Sequence, residues 1–351
     1  MRAVRIILKI LLGIVAAAAI LAALLTIAEY RPLEREDVPV IGSGNAEVHA
    51  GDELTLLSWN TGYGALGSNA DFFMDGGTMV MTADRERMDA NMLAMTKAAA
   101  ELNADAVLLQ EVDLASTRSH QVNQTALWRA AFPQMASAFA YNYNALFVPY
   151  PWPPLGHVES GLLTLTKWTP AKAERISLPC PFSWPVKAFN LKRGLLVERI
   201  PAEEGKELVL INLHLEAYDD GEGKAAQTRK LLEVMRAEAQ KGNWVIAGGD
   251  FNQVFSSTDM SAYPVYPGNW QPGMIDSAEF APDLTLVQDN AVPSCRSLKT
   301  PLDSADLTAF QFYLIDGFAV SANVQVVSCD TLDQGFQASD HNPVLMKVAL
   351  Q

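Results

Sequence analysis

Short uninterrupted apolar runs, each closed by a carboxylate, an amide or a histidine, constrain this chain more than any other feature. Leu54-Thr55-Leu56-Leu57-Ser58-Trp59 runs into Asn60, Ala106-Val107-Leu108-Leu109-Gln110 into Glu111, and Leu208-Val209-Leu210-Ile211-Asn212-Leu213 into His214. Trp244-Val245-Ile246-Ala247 leads through Gly248-Gly249 to Asp250-Phe251-Asn252, and Phe312-Tyr313-Leu314-Ile315 leads to Asp316. Ser339-Asp340-His341-Asn342-Pro343 stands immediately before the last apolar run. Runs of this kind read as strands buried on both faces, and such strands gather their polar ends at one edge of a sheet. The pattern predicts an α/β protein with one metal-assisted hydrolytic site at that edge.

The intervening segments fill in the architecture. Residues 84–102 place Met88, Met92, Met95, Ala99 and Leu102 on one helical stripe, which is a core-facing pattern. With the flanking runs this helix makes a strand–helix–strand unit. The run to His214, a helix over about 224–241 and the run to Asp250 make a second. Residues 137–143, 161–167, 173–178 and 194–200 read as strands joined by turns, hence antiparallel pairing. Two such halves predict two mixed sheets packed face to face and flanked by helices. The glycine-rich 62–67 lacks the Lys-Ser/Thr ending of a phosphate-binding P-loop and reads as a loop, as does the stretch holding Asp75-Gly76-Gly77. The proline- and aromatic-rich loops 148–156 and 263–273 either cap the core or touch substrate.

At the N-terminus, Arg2, Arg5 and Lys9 precede an uncharged stretch, 10–28, in which Thr26 is the sole polar residue. As a helix this stretch rises roughly 28 Å, near the hydrocarbon thickness of a bilayer. The basic flank stays cytoplasmic, so the expected arrangement is a single-pass anchor in the cell membrane with everything after Glu29 outside the cytoplasm. The alternative is a secretory signal cut after Thr26-Ile27-Ala28, which also exports the domain. Residues 1–30 are thus the anchor or signal, 31–52 a Pro/Gly/acid-rich linker and 53–351 the catalytic domain. Cys180, Cys295 and Cys329 permit one disulfide or three buried thiols. The formal charge of −14 argues against a high-affinity nucleic-acid binder.

A phosphate ester resists hydrolysis because its negative oxygens repel nucleophiles and its leaving oxygen needs stabilising. A divalent cation addresses both, and hard ions prefer carboxylate oxygen. Glu111 is the leading ligand candidate, with Asn60 and Asp340 to complete or orient the shell. His341 is the candidate base and Asp316 its orienting carboxylate, while His214 offers a second imidazole. On an extended backbone Asp250 and Asn252 point to the same side, one to hold or deprotonate water and the other to donate to phosphoryl oxygens. Of the remaining histidines, His49 and His157 carry no expected role and His120 is placed at most at the site's edge. Arg118 and Lys192-Arg193 are candidate phosphate contacts.

In order and type, Trp59-Asn60, Gln110-Glu111-Val112, Asn212-Leu213-His214, Gly249-Asp250-Phe251-Asn252, Ile315-Asp316 and Ser339-Asp340-His341-Asn342-Pro343 resemble the endonuclease/exonuclease/phosphatase superfamily over about 54–350. The resemblance implies a four-layered α/β sandwich and Mg²⁺- or Mn²⁺-dependent phosphoester hydrolysis. It makes Glu111 the metal ligand with Asn60 nearby, and pairs His341 with Asp316. It sets His214, Asp250 and Asn252 around the phosphate, with Asp340 supporting the metal or His341. Whether Asp250 or the His341–Asp316 pair activates the water differs among family members and stays open. The segment Leu215-Glu216-Ala217-Tyr218-Asp219-Asp220, with Gln227-Thr228-Arg229 after it, is similar to the sphingomyelinase branch. The 313–318 stretch lacks the Trp-Cys-Asp-Arg element of the inositol-polyphosphate 5-phosphatases. The expected substrate is therefore a phospholipid headgroup ester, with a surface or secreted nuclease as the alternative and no obligate protein partner. A non-catalytic membrane-tethered binding module would have lost a motif residue, and none is lost.

Overall fold

The computed structural model describes residues 2–219 and 221–351, so Asp220 of the acidic segment after His214 lies outside the described residues. The chain begins with α1 (Arg2–Ile27), β1 (Arg35–Asp37) and β2 (Val40–Ile41). The first strand–helix–strand unit is β3 (Glu53–Asn60), α2 (Arg85–Glu101) and β4 (Ala106–Asp113). After α3 (Gln124–Ala131) come β5 (Ala136–Val148), β6 (Gly156–Thr166), β7 (Lys172–Ser177) and β8 (Gly194–Pro201). The second unit is β9 (Glu207–His214), α4 (Glu222–Ala239) and β10 (Trp244–Asp250). Two short pairs, β11 (Gln253–Phe255) with β12 (Gly273–Ile275) and β14 (Cys295–Arg296) with β15 (Phe312–Tyr313), flank β13 (Leu284–Val287). The chain closes with β16 (Asp316–Ser321), β17 (Val324–Thr331) and β18 (Val344–Leu350).

The main strands form two seven-stranded sheets, in the orders β1-β7-β8-β9-β10-β16-β13 and β17-β18-β3-β4-β6-β5-β2. Within them β3/β4 and β9/β10 run parallel, the two pairs whose connections carry α2 and α4. Leu56, Leu108, Leu210, Ile246, Phe318 and Met346 fill the space between the sheets. The stripe Met88, Met92, Met95 and Ala99 packs α2 on Leu57, Val107 and Leu109, and Leu231 and Met235 pack α4 on Val209, Ile211 and Val245. The result is the expected helix–sheet–sheet–helix sandwich.

Strand parity explains how the polar ends converge. Leu54 and Leu56, Ala106 and Leu108, Leu208 and Leu210, and Trp244 and Ile246 all face the other sheet, and all are even-numbered. Side chains alternate with a period of two, so the same face continues into Asn60, Gln110, Asn212, His214 and Asp250. The inter-sheet layer therefore turns polar at one edge of the sandwich. Gln110 Nε2 donates to Asn212 Oδ1 at 2.8 Å across the layer, and Asn212 Nδ2 donates to Leu109 O and Leu163 O, each at 3.1 Å. This buried bridge locks the two sheets just behind the site.

Two expectations are corrected, and one open alternative, that of the cysteines, is decided. Asp316 does not end the strand over 312–315; it opens β16, which runs antiparallel to β10 and pairs Asp316 with Asp250. The reversed direction brings the start of β16 to the edge where β10 ends. Residues 31–52 are not a free linker: β1 pairs with β7 at the edge of one sheet, and β2 with β5 at the edge of the other. Edge strands present unpaired N–H and C=O groups, and this segment satisfies them while Val38 and Val40 cover apolar side chains between the sheets. The three cysteines are all free thiols, so the permitted disulfide is not formed.

Candidate active site

Asp250 sits at the centre of the converging residues. Its Oδ2 accepts from Asn60 Nδ2 at 3.0 Å and lies 3.3 Å from His214 Nε2 and 3.8 Å from His341 Nε2. Its Oδ1 accepts from the Asn252 backbone N–H at 2.8 Å. His341 Nδ1 meets Asp316 Oδ2 at 2.8 Å, which leaves Nε2 facing the cleft. Behind Asp316, Ser294 Oγ accepts from the Asp316 N–H at 3.1 Å and fixes the start of β16.

Two of these residues reach the cleft by breaking regular strand geometry. Glu111 is odd-numbered and on a regular strand would face α2 with Leu109. Instead the register of β4 against β6 shifts between Leu109 and Val112, and Glu111 adopts φ +55°. Such a bulge re-aims one side chain, here into the cleft. Asn252 likewise lies at φ +51°, so the extended geometry expected from Asp250 to Asn252 does not hold. The chain turns there, Asn252 Nδ2 donates to Leu215 O at 2.9 Å, and the residue still lines the cleft.

Asn60 holds the cluster together by donating. Its Oδ1 accepts from the Gly62 N–H at 3.1 Å, so Nδ2 points at Asp250 (3.0 Å) and at Glu111 Oε1 (3.4 Å). In this arrangement it orients the site, with Nδ2 turned to the carboxylates of Asp250 and Glu111. Gly62 has φ +49°, and a Cβ there would stand 2.8 Å from Asp340 Oδ1; only glycine leaves that carboxylate its place.

The carboxylates suit a hard divalent cation. Glu111 is met by the neutral Asn60 amide and Asp340 by the neutral Ser339 hydroxyl, both at 3.4 Å. Burial, with Glu111 adding to it, pushes the Asp340 carboxyl up to about 6. Asp75 lines the same cleft and is pushed up to about 7 by burial and then by Asp340 and Glu111. Carboxyls that raise one another's pKa in one cavity form an oxygen-rich anionic donor set that a bound dication would relieve. Cys295 is close to Asp340 and His341, but burial pushes its thiol up to about 12, so it stays protonated and is no ligand for a hard ion.

The two imidazoles are driven apart. Burial opposes charge on His341, yet the carboxylates, Asp316 first and then Asp340, hold its pKa well above the ordinary value. His214 falls well below it, through burial and then the positive charge of Arg193. The surroundings thus favour the charged form of His341 and the neutral form of His214. The Asp250 carboxyl is raised by burial and by Asp316.

The cleft encloses about 440 Å³, and outside the polar cluster its walls include Phe72, Phe73, Phe182, Phe189, Leu191 and Trp270. Asp75 and Tyr218 meet across it, Tyr218 Oη donating to Asp75 Oδ1 at 3.2 Å. Asp75 was legible only as the start of an Asp-Gly-Gly turn, since tertiary folding alone brings it to the site. Of the cationic candidates, Arg118 lines the cleft but donates to both oxygens of Asp113, at 3.2 and 3.0 Å, and lies over the Tyr63 ring. Arg193 also lines it and donates to His214 O at 3.1 Å, whereas Lys192 pairs with Glu29 at 3.4 Å. His120 bonds Ala83 O at 2.9 Å, away from the cluster.

The sequence model of the Endonuclease/Exonuclease/phosphatase family matches residues 57–341. No curated protein sequence matches the chain. Among solved structures it is similar to an endonuclease/exonuclease/phosphatase from Beutenbergia cavernae DSM 12333, with 17% identity, a TM-score of 0.56 and coverage of 85% of this chain and 72% of that one. An endonuclease/exonuclease/phosphatase from Bacteroides vulgatus gives 14% identity and a TM-score of 0.54, covering 86% of this chain and 100% of that one. The human Nocturnin catalytic domain with bound sulfate gives 15% and 0.51, over 90% and 97%. At such identities the shared property is the fold.

Proposed function

The chain belongs to the endonuclease/exonuclease/phosphatase family of metal-dependent phosphoesterases, and we propose that it is a membrane-tethered phosphodiesterase, with its site outside the cytoplasm, that cleaves a phospholipid headgroup ester. The observation that carries the lipid reading is the apolar wall of the cleft beside the polar cluster. A nucleic-acid groove would add a basic track of free cations, whereas Arg118 and Arg193, which line this cleft, are engaged by Asp113 and by His214 O. The net charge of −14 adds to the preference. For the tether, α1 is long and apolar and almost none of it is covered by protein, while Arg2, Arg5 and Lys9 mark its cytoplasmic end.

Glu111 and Asp340 would hold the divalent cation, Mg²⁺ or Mn²⁺, which when bound supplies charge neutralisation at the phosphoryl and leaving oxygens. Asp250, with its raised carboxyl and its orientation set by Asn60, Asn252 and His214, takes the proton of the attacking water. His341, held as imidazolium by Asp316, presents its Nε2 proton to the phosphoryl group and protonates the departing ester oxygen. His214 stays neutral and steadies Asp250. A P–O bond to water forms, the ester P–O bond breaks, and one proton moves onto Asp250 as another leaves His341.

The test is a substrate panel on the full chain in lipid nanodiscs with Mg²⁺ or Mn²⁺: choline phospholipids, phosphoinositides and plasmid DNA. Lipid headgroup release is expected. A chelator should lower it by at least about 100-fold, and added Mg²⁺ or Mn²⁺ should restore it. Rapid DNA cleavage with every lipid left intact would replace the lipid reading with the nuclease one.

A further inference from the structure

Two segments of this acidic chain are free of charge and expose their aromatics. Residues 145–156 read Ala-Leu-Phe-Val-Pro-Tyr-Pro-Trp-Pro-Pro-Leu-Gly, and 179–186 read Pro-Cys-Pro-Phe-Ser-Trp-Pro-Val. Trp152 is 90% exposed, Tyr150 64%, Leu146 62% and Trp184 60%. Single exposed apolar residues are ordinary, but a cluster of this size on a soluble face marks a surface that meets something. The same two segments build the cleft wall, with Val148, Tyr150 and Leu155 from one and Phe182 and Val186 from the other. Next to them, Tyr143 Oη donates to Phe189 O at 3.1 Å, and the Tyr150 ring stands 5.8 Å from that of Phe73.

The end of α1 identifies what this surface meets. Trp184 Nε1 donates to Thr26 Oγ1 at 3.0 Å, one residue before α1 stops at Ile27. Glu29, just beyond, pairs with Lys192, a neighbour in sequence of the cleft-lining Leu191 and Arg193. The uncharged 10–28 stretch rises about 28 Å against roughly 30 Å of hydrocarbon, so the end of α1, next to Glu29, lies at the outer boundary of the bilayer beside the headgroup zone where Trp and Tyr partition best. An indole bonded to that end of the helix is held at the same depth, and the neighbouring charge-free tip has no carboxylates for anionic headgroups to repel.

We propose that residues 146–152 and 182–186 form a membrane-contacting lip, seated in the outer interface beside α1, through which a lipid passes from the bilayer into the cleft. This rests on the lipid reading of the site. The apolar wall is then continuous from the interface to the phosphoryl cluster, so the acyl chains need not cross water.

The full chain in phosphatidylcholine nanodiscs, with and without acyl-brominated lipid, tests this directly. Bromine quenches only tryptophans that touch the acyl region, and Trp59, Trp128, Trp168 and Trp244 are buried. Trp152→Ser and Trp184→Ser should each remove part of the quenched emission. Together they should lower turnover of a bilayer-embedded phosphodiester by about tenfold, with less than about a twofold change on a water-soluble nitrophenyl diester, because neither side chain lines the cleft. Equal quenching in the double variant and the parent would overturn the lip, as would equal turnover of the embedded substrate. Quenching reads contact without hydrolysis, so an inactive but quenched protein would defeat the phosphoesterase reading alone. An unquenched protein whose lip cross-links to a second copy would assign the surface to a dimer and end the proposal.

Discussion

The side chains proposed to do the chemistry act through the charges their neighbours impose. His214 ends β9 of one sheet and His341 precedes β18 of the other, yet Asp316 favours the cation in His341 while burial and Arg193 favour the neutral form in His214. Asp316→Asn keeps a partner for His341 Nδ1 and removes only the charge. We expect kcat/KM to fall about 100-fold or more, with circular dichroism unchanged; wild-type turnover would show that Asp316 does not set the state of His341. Asp250→Asn should lose on the order of 1,000-fold for want of a base, while binding of a non-hydrolysable phosphonate analogue persists. Wild-type rates in this variant would reassign the base.

Among the elements, β8 and β9 hold the groups most exposed to failure. Asn212 makes its hydrogen bonds inside the inter-sheet layer, two residues before His214. Asn212→Ala would remove its bonds to Leu109 O and Leu163 O and leave Gln110 Nε2 only Leu108 O and Ser58 Oγ, a loss of about 2–3 kcal/mol measurable as a lower urea midpoint. Glu198 of β8 points into the same layer between Leu196 and Ile200, with neither carboxyl oxygen paired, and burial lifts its pKa to about 8. Unfolded, it ionises near 4.5. Between those values the folded protein keeps a proton that the unfolded chain has released, so stability is full below the lower value and drains away as pH rises through the upper. Glu198→Gln should flatten this dependence, which for the parent amounts to a few kcal/mol between about pH 5 and pH 9. A parent urea midpoint that does not move over that range would show that Glu198 is not buried neutral.

At the scale of the whole molecule, the sandwich is closed by the segment that leads from α1. Through β1 and β2 it caps one edge of each sheet, so the helix is joined to the domain by paired backbone and not by a loose tether. On the proposed reading of α1 as an anchor, that rigidity would set the height of the cleft over the membrane. The protein should resist carbonate extraction, and protease added outside intact cells should digest the domain while a tag ahead of Arg2 is protected. A protected domain with a digested tag would reverse the topology.

Read as sequence, the chain declared its strands, its two strand–helix–strand units, its apolar N-terminal helix and its motif residues, because each is written in neighbouring residues by burial and a period of two or 3.6. Placement depended on pairing between distant segments, which local patterns do not encode. The reversed entry of β16 carries Asp316 to Asp250, and the bulge at Glu111 and the left-handed turn at Asn252 exist only because of the strands alongside them. Residues 31–52 looked unstructured because edge pairing needs only backbone, and Asp75 looked like a turn because its companions come from elsewhere in the chain. The chemistry was legible in the local sequence; the tertiary structure decided which groups share a field, and so which of them carry charge.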